Sequence, residues 1–307
     1  MALQGGVYQA LLTALLFIYV FFAAVLVAGV RRKLRARLQG RVGPPVWQPI
    51  LDFLKLLFKK PTAPSLANPV YVSAAVIALL ASLAAAALVP FTRQHPLCFA
   101  GDIVAFFILL FAGEAVLVVG GLASGNPYSW LSGMRAMLIM MVRELLLAGA
   151  LLLLYASTQK LSLVEALPAV PPAVAVPLAL FFVAFALVLS MSTLFSAPVA
   201  ETEVLEGYFI EYSGPLLAMA ELSHWLLAYA PLALASSLFL AAAGALGLSW
   251  LAAAAHLLML AAFSAVLAVL DAAFARLRIW GAMKLAAALL GALLALGAAL
   301  LALKVGA

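Results

Sequence analysis

Charge is scarce in this chain. Only 9% of its 307 residues are Asp, Glu, Lys or Arg, against 68% hydrophobic residues and a mean hydropathy of +1.23. A soluble domain carries about 25% charge, so a water-soluble globule is excluded and a polytopic membrane protein is implied. Cysteine is nearly absent. The single Cys98 excludes an intrachain disulfide, an iron–sulfur site and a cysteine zinc site. Histidine is almost as rare, with His95, His224 and His256 far apart along the chain. Ligation of a haem by His224 and His256 on adjacent spans is one reading; hydrogen bonds to neighbouring helices are the other. No phosphate-cradling glycine loop and no GxSxG motif occurs, so no nucleotide site is expected. The net charge of +6 follows membrane topology and gives no reason to expect nucleic acid as a partner.

What is abundant is long apolar sequence. A bilayer crossing needs about 20 residues. Eight stretches qualify, near 8–30, 69–90, 102–123, 136–156, 172–195, 215–241, 249–270 and 281–303, giving an all-α, single integral membrane domain over 1–307. The proline-bearing fifth and sixth are candidates for a break or tilt. Small-residue runs such as 81–88 and 291–303 allow close helix approach. The first basic residue is Arg31, so a signal peptide is not expected. Nine of the seventeen basic residues lie between Arg31 and Lys60. Arg135, Arg276, Arg278 and Lys284 fall on the same side, and Arg93, Lys160 and Lys304 on the other. The positive-inside rule then puts both termini outside the cytoplasm of a multi-pass inner-membrane protein.

The loop over 31–68 is broken by Gly43-Pro44-Pro45 and then reads as a short amphipathic helix. Trp47, Ile50, Leu51, Leu54, Leu57 and Phe58 form one face; Gln48, Asp52, Lys55 and Lys59 form the other. Such a helix lies in the membrane interface, or it frames a cavity mouth and presents Asp52 and Lys55 to a partner.

The most informative stretch is SAPVAETEVLEGYFIEYSGPLLAMAEL (196–222). Glu201, Glu203, Glu206, Glu211 and Glu221 fall within it, although the chain has only eleven acidic residues. Crowded carboxylates at a membrane boundary repel, and burial resists ionisation. Both raise pKa toward the range where protons are exchanged. The alternative is a solvated acidic loop that docks on a basic partner. Three more charges lie at membrane depth: Glu114 in the third span, and Arg143 and Glu144 in the fourth. An ionised group at the bilayer centre costs about 2.5–3.5 kcal/mol, so each needs a partner, water or a neutral state. Adjacent helical residues point about 100° apart, so Arg143 is expected to pair with Glu114 or the loop glutamates and not with Glu144. That leaves Glu144 as a candidate proton carrier.

Three segments together carry a resemblance. ARLQGRVGPPVWQPILDFLKLLFKK (36–60), SGNPYSWLSGMRAMLIMMVRELLLA (124–148) and AETEVLEGYFIEYSG (200–214) resemble the corresponding loops and buried-glutamate helix of the H subunit of NADH–quinone oxidoreductase (complex I) and its hydrogenase relatives. RLRI (276–279) before the last span fits as well. The compact GPP–WQPILD run, GMRAMLIMMVREL and EG…EYSGPLLA are closer to the membrane subunit of formate hydrogenlyase and energy-converting, group 4 nickel–iron hydrogenases. The resemblance implies a non-redox subunit that anchors a peripheral module and joins it to antiporter-like subunits. It also implies acidic residues that couple electron transfer to proton or sodium movement. A nickel–iron centre and iron–sulfur clusters are then expected in the peripheral large and small subunits and no cofactor in this chain. Matched candidates are Glu144, Glu201, Glu203, Glu206 and Glu211, with Asp52 and Lys55 in the first loop. Ser196 and Val199 stand where the family's pattern has an aspartate and a glutamate. A complex I H subunit contributing to a quinone chamber, and a stand-alone ion-coupled transporter, are the other readings.

Overall fold

The computed structural model describes residues 2–92, 95–190, 193–199, 203, 207–245 and 250–305. Eight of its helices are long and apolar enough to cross a membrane, as the sequence predicts. The membrane helices are α1 (Ala2–Leu38), α3 (Pro69–Ala87), α4 (Asp102–Leu122), α5 (Pro127–Thr158), α7 (Pro172–Leu189), α8 (Gly214–Ala242), α9 (Trp250–Ala273) and α10 (Ile279–Val305). Two short helices, α2 (Gln48–Leu57) and α6 (Leu163–Ala169), sit between them. Short 3-10 turns cover Thr193–Phe195 and Gly207–Phe209.

Two spans are longer than their hydropathy suggests. α1 runs unbroken through the basic cluster to Leu38, because no proline interrupts Ala2–Leu38 and arginine is a good helix former. α5 starts at Pro127, nine residues before the expected span. Asn126 caps it by accepting a hydrogen bond from the Tyr128 amide at 2.9 Å, with proline at the first helical position. This puts Arg143 and Glu144 at the middle of a 32-residue helix, not two turns from its start. The fifth span is shorter than its apolar run, since α7 stops at Leu189.

The spans pack as small-residue chemistry demands. Bilayer lipid is as apolar as leucine, so close backbone approach supplies the contact energy. α3 turns Ala74, Ala75, Ala78 and Ser82 inward, all buried. Gly113 and Gly120 of α4 face them: a Cβ on Gly120 would come within 2.6 Å of the Ala74 Cβ. α8 is the central helix, buried along most of its length and packed on α1, α3, α7 and α9. α10 leans on α5, where Gly149 and Gly297 receive Leu293 and Leu153.

Loop contacts show which connections share an end of the bundle. The Asn68 amide bonds to the Ala123 carbonyl (3.4 Å), and the Leu277 amide to the Leu194 carbonyl (3.1 Å). Thr62 and Ser213 exchange three hydrogen bonds, the amide of Thr62 donating to the Ser213 hydroxyl at 2.7 Å. The basic loop, the acidic loop and the connection before α10 therefore meet at one end. At the other, the Asp102 carboxylate accepts from the Leu163 amide (2.6 Å) and the Ser162 hydroxyl (3.1 Å), tying α4 to the start of α6.

In α2 the sequence-predicted apolar row splits. Trp47, Leu51, Leu54 and Phe58 are exposed, the position of a helix that lays an apolar edge into lipid. Pro49, Phe53 and Leu56 turn inward with Asp52 and Gln48.

Candidate functional site

The largest buried polar side chain among the described residues is Arg143, 1% exposed and surrounded by apolar helices. Its guanidinium forks onto Glu114 of α4. Nη1 donates to Oε1 at 2.7 Å, and Nη2 donates to Oε2. This bidentate arrangement is the strong form of an arginine–carboxylate pair, and it is one of the two pairings that the sequence leaves open. The same Nη2 also donates to Glu144 Oε1 at 3.0 Å. The expectation that neighbours cannot pair is therefore corrected. The 100° separation applies to Cβ directions. A long arginine and a long glutamate can both bend toward the α4 face, and a guanidinium with five donors serves two carboxylates at once. Two buried polar atoms in this triad have no hydrogen-bond partner among the described residues, Arg143 Nε and Glu144 Oε2. Glu144 thus keeps one oxygen uncommitted at mid-membrane.

Above the triad sits the turn Gly207–Phe209. Tyr208 is fully buried and close enough to interact electrostatically with Arg143, Tyr212 and Glu221. Burial pushes its phenol well above the ordinary value, so it stays protonated and able to donate. Tyr212 stacks on Tyr71 with ring centres 4.8 Å apart, and the Tyr71 hydroxyl donates to the Glu211 carbonyl at 2.5 Å. The Glu211 carboxylate accepts from the Asn126 side chain. A file of tyrosines therefore leads from the buried triad toward the acidic loop. Two glycines of α4 make room for it: a Cβ on Gly121 would crowd Tyr208, and one on Gly120 would strike the Tyr212 hydroxyl. Gly207 itself has φ +70°, and a Cβ there would lie 2.7 Å from the Pro198 carbonyl. Gly207→Ala should cost about 1–3 kcal/mol through backbone strain and overpacking, read as a lower unfolding temperature of the detergent-solubilised protein. An unchanged midpoint would show that the turn can relax.

Glu203 lies on the outside of this loop. Arg135 Nη1 donates to Oε2 at 2.6 Å and Arg276 Nη2 to Oε1 at 2.8 Å, so one carboxylate joins α5 to the connection before α10. The sequence-based expectation that crowding raises the loop carboxylates is overturned at this position. The hydrogen bond from Arg135 and the charges of Arg135, Arg276 and Arg278 hold Glu203 below its ordinary value, against a smaller opposing effect of burial. A carboxylate with a depressed folded pKa contributes its tie above the unfolded value of 4.5 and loses it as pH falls through the lower, folded value. Spin labels at Val199→Cys and Ala275→Cys in a Cys98→Ser background should give one narrow distance at any pH above 4.5. The distribution should broaden on further acidification, and Glu203→Gln should broaden it at neutral pH. A narrow distance in that variant would mean that the tie is made by other contacts.

The remaining expected residues separate. Asp52 accepts from Arg32 (2.7 Å) and Gln48 (3.0 Å). Burial alone would push its carboxyl up, but those hydrogen bonds and the charges of Arg32 and Lys55 outweigh it and leave it below the usual range. Asp52, Arg32 and Leu56 line a cavity of about 400 Å³ together with Glu221 and Trp225 of α8. Lys55 is exposed one turn further along α2, near enough for its charge to act on Asp52. Glu201 and Glu206 lie outside the described residues. The two histidines that the haem reading pairs are engaged separately, as the hydrogen-bonding alternative expects for His256. His256 Nδ1 is 2.7 Å from the Tyr19 hydroxyl and its Nε2 lies 3.3 Å from the Ala233 carbonyl. His224 is nine residues before Ala233 on the same helix, about 14 Å away at 1.5 Å per residue, and packs edge-on against Phe209.

Sequence reasoning missed Tyr208, Arg276, Asn126 and the Arg31–Asp271 pair (2.6 Å). Asp271 near the end of an apolar span, opposite a basic run, was a usable signal; the others depend on contacts across long stretches of chain.

Comparison with known proteins agrees with this architecture. The model of the family described as NADH dehydrogenase matches residues 11–302. The chain is 34% identical over 244 residues to the H subunit of NADH-quinone oxidoreductase from Geobacillus kaustophilus, covering 75% of this chain and 72% of that protein. It is 31% identical over 222 residues to the same subunit from Bacillus cytotoxicus, covering 68% and 67%. In three dimensions it is similar to a chain of the membrane-bound sulfane sulfur reductase, an archaeal respiratory membrane complex. The TM-score is 0.82 at 23% identity, over 95% of this chain and 99% of that one. With its eight membrane helices and its match across nearly the whole family model, this chain belongs to the NADH dehydrogenase family, which includes the H subunit of complex I.

Proposed function

We propose that the chain is the non-redox membrane subunit of a respiratory complex of the hydrogenase or formate hydrogenlyase type. It anchors a peripheral electron-transfer module and couples that module to proton or sodium translocation. The observation that carries this reading is the Glu114–Arg143–Glu144 triad, a buried charge centre with one carboxylate oxygen that has no hydrogen-bond partner among the described residues, reached from the acidic loop through Tyr208 and Tyr212. A shift of charge at the loop alters the potential felt at the triad, and the low dielectric there makes such a shift count. The basic loop and the acidic loop share one end of the bundle, which offers a docking face for the peripheral large and small subunits. Their nickel–iron and iron–sulfur groups would lie outside this chain, and antiporter-like subunits would adjoin it within the membrane. The positive-inside rule makes that end cytoplasmic and leaves both termini outside.

A second reading is favoured by the relatives named above, which are subunits of a quinone oxidoreductase. In that case the cavity between α1, α2 and α8 would contribute to a quinone chamber. Purification of the intact assembly in mild detergent, with identification of every chain, decides between them. Hydrogenase-type large and small subunits support the first reading, a full quinone-reductase set supports the second, and a chain that purifies and transports ions alone defeats both. Sidedness is checked on the same cells. Cys98 is exposed at the end opposite the basic loop, so a membrane-impermeant maleimide should label it from outside, while Ser65→Cys in a Cys98→Ser background should stay unlabelled. The reverse pattern would overturn the orientation.

A further inference from the structure

A second set of ionisable side chains is buried away from the triad, and it gathers from five distant places in the sequence. On α8, Leu227 packs against Gly113 of α4, the neighbour of Glu114. Two residues on, Tyr229 leaves the helix about 160° away from Leu227. It is fully buried and close enough to interact electrostatically with Tyr19 of α1. The Tyr19 hydroxyl is 2.7 Å from Nδ1 of His256, whose ring is fully buried. His256 Nε2 faces the Ala233 carbonyl at 3.3 Å. A carbonyl only accepts, so Nε2 carries the hydrogen and Nδ1 is the bare nitrogen to which Tyr19 donates. One turn outward from Ala233 on α8, Ser237 donates to the Pro90 carbonyl at 2.7 Å. Phe91 follows, its ring centre 4.3 Å from Tyr19, 5.6 Å from His256 and 6.4 Å from His95. His95 Nε2 lies 2.7 Å from the Ala87 carbonyl, so its Nδ1 is bare too; that atom is buried, with no hydrogen-bond partner among the described residues.

We propose that His256 is a proton carrier of the outer half of the membrane, loaded through Tyr19 and emptied toward His95. The proposal rests on the coupling reading above and takes its proton branch. Depth supports it. Arg31 and Asp271 pair at the basic end of α1 and α9, and the Tyr19–His256 bond lies on the same two helices about 18–22 Å further out at 1.5 Å per residue. That is about two-thirds of the way across a core of about 30 Å. An ionisable side chain held at that depth marks a working site. Pure packing would need no second histidine with a bare nitrogen on the outward side of the same phenyl ring. The transfer balances. A proton reaching the Tyr19 oxygen from water on the Tyr229 side lets the hydroxyl pass its own proton to Nδ1, and the ring becomes imidazolium. The Nε2 proton, held by the longer bond, then leaves through water to His95 Nδ1 and on to the outside. His256 returns to its first tautomer with both rings neutral; one proton has entered, one has left, and no electron moves. Burial holds His95 below its ordinary value, against the opposing bond to Ala87, so it releases a proton readily.

The test uses the whole complex in proteoliposomes and reads protons moved per electron, with the rate of electron transfer from a soluble donor recorded beside it. In His256→Gln the side-chain amide can still accept from Tyr19 and donate to Ala233, so the helices stay tied while the protonatable nitrogen is gone. The ratio should fall at least about tenfold, with electron transfer close to wild type. Tyr19→Phe leaves His256 protonatable but cuts its supply, and should lower the ratio to a similar extent; it decides the matter if the Gln variant does not assemble. A wild-type ratio in either variant would overturn the proposal. If Glu144→Gln, measured alongside, still lowers the ratio, the coupling reading survives that result. A wild-type complex that moves sodium and no protons would overturn the His256 role while leaving coupling intact, and one that moves no ion would overturn both.

Discussion

Arg143→Met should leave most of the protein unable to survive extraction into mild detergent as a single species. The substitution removes the donor that satisfies Glu114 through two hydrogen bonds and Glu144 through one. Two carboxylates then share a dry site with no counter-charge. Each must take up a proton or draw in water, and breaking a buried pair from one side costs about 3–5 kcal/mol. That is a large part of the roughly 5–15 kcal/mol that separates folded from unfolded protein. The double variant Arg143→Met with Glu114→Gln should recover much of the loss, because the orphaned carboxylate is gone and Glu144 can remain neutral. Fluorescence-detected size exclusion and thermal unfolding of the parent, the two single variants and the double variant form a double-mutant cycle. If the Arg143→Met variant is as stable as the parent, the triad does not hold α4 to α5. If the double variant is no better than Arg143→Met alone, the damage comes from lost volume and not from unpaired charge.

Glu144→Gln is expected to have the opposite profile, a protein that assembles but transports poorly. Glutamine keeps the length of the side chain and can still accept from Arg143 through its carbonyl oxygen. What it loses is the ionisable proton on a group whose second oxygen has no hydrogen-bond partner among the described residues. General acid–base groups of this kind contribute about 10²–10⁴-fold when a proton must pass through them. Ion translocation per electron should therefore fall by at least about tenfold on that scale, while electron transfer from a soluble donor stays close to wild type. The readout is the ratio of ions moved to electrons transferred in proteoliposomes containing the whole complex. A wild-type ratio would reduce Glu144 to a hydrogen-bonding residue. The absence of carboxylates at Ser196 and Val199 makes the measurement informative, since any path then leans more heavily on the groups that remain.

Much of the fold was legible because a membrane span is a one-dimensional signal. Eight apolar runs give eight spans, and only the ends moved. They moved for local reasons: Asn126-Pro127 starts α5 early, and arginines that look like a loop extend α1 instead. The Arg143–Glu114 pair was legible as one of two alternatives for an energetic reason, since a charge at mid-membrane must find one of very few opposite charges, in Glu114 or in the loop glutamates. The rest of the site was not. Whether Arg143 also reaches Glu144 depends on side-chain bending that periodicity does not contain. Glu203 lies 73 residues from Arg276, and nothing in the acidic run announces that its charge is already answered. The roles of Gly120 and Gly121 are equally silent, because a glycine in an apolar span reads as packing until a tyrosine is found lying against it.

The continuity of α1 sets how the two faces of the membrane feel one another. Sharp bends in long helices occur at proline, at glycine–serine pairs or where the hydrogen-bond ladder is interrupted. No proline lies between Ala2 and Leu38, and the helix does not stop where it emerges. It is therefore a stiff lever about 55 Å long at 1.5 Å per residue. One arm carries the arginines, clamped to Asp271 and to Asp52 on α2. The other carries Tyr19, which is tied to His256 on α9. A push on the exposed arm cannot be absorbed by a hinge at the surface. The contacts Arg31–Asp271 and Tyr19–His256 fix this one rod to α9 at two depths, so the orientation of its exposed arm and that of its buried half are set together.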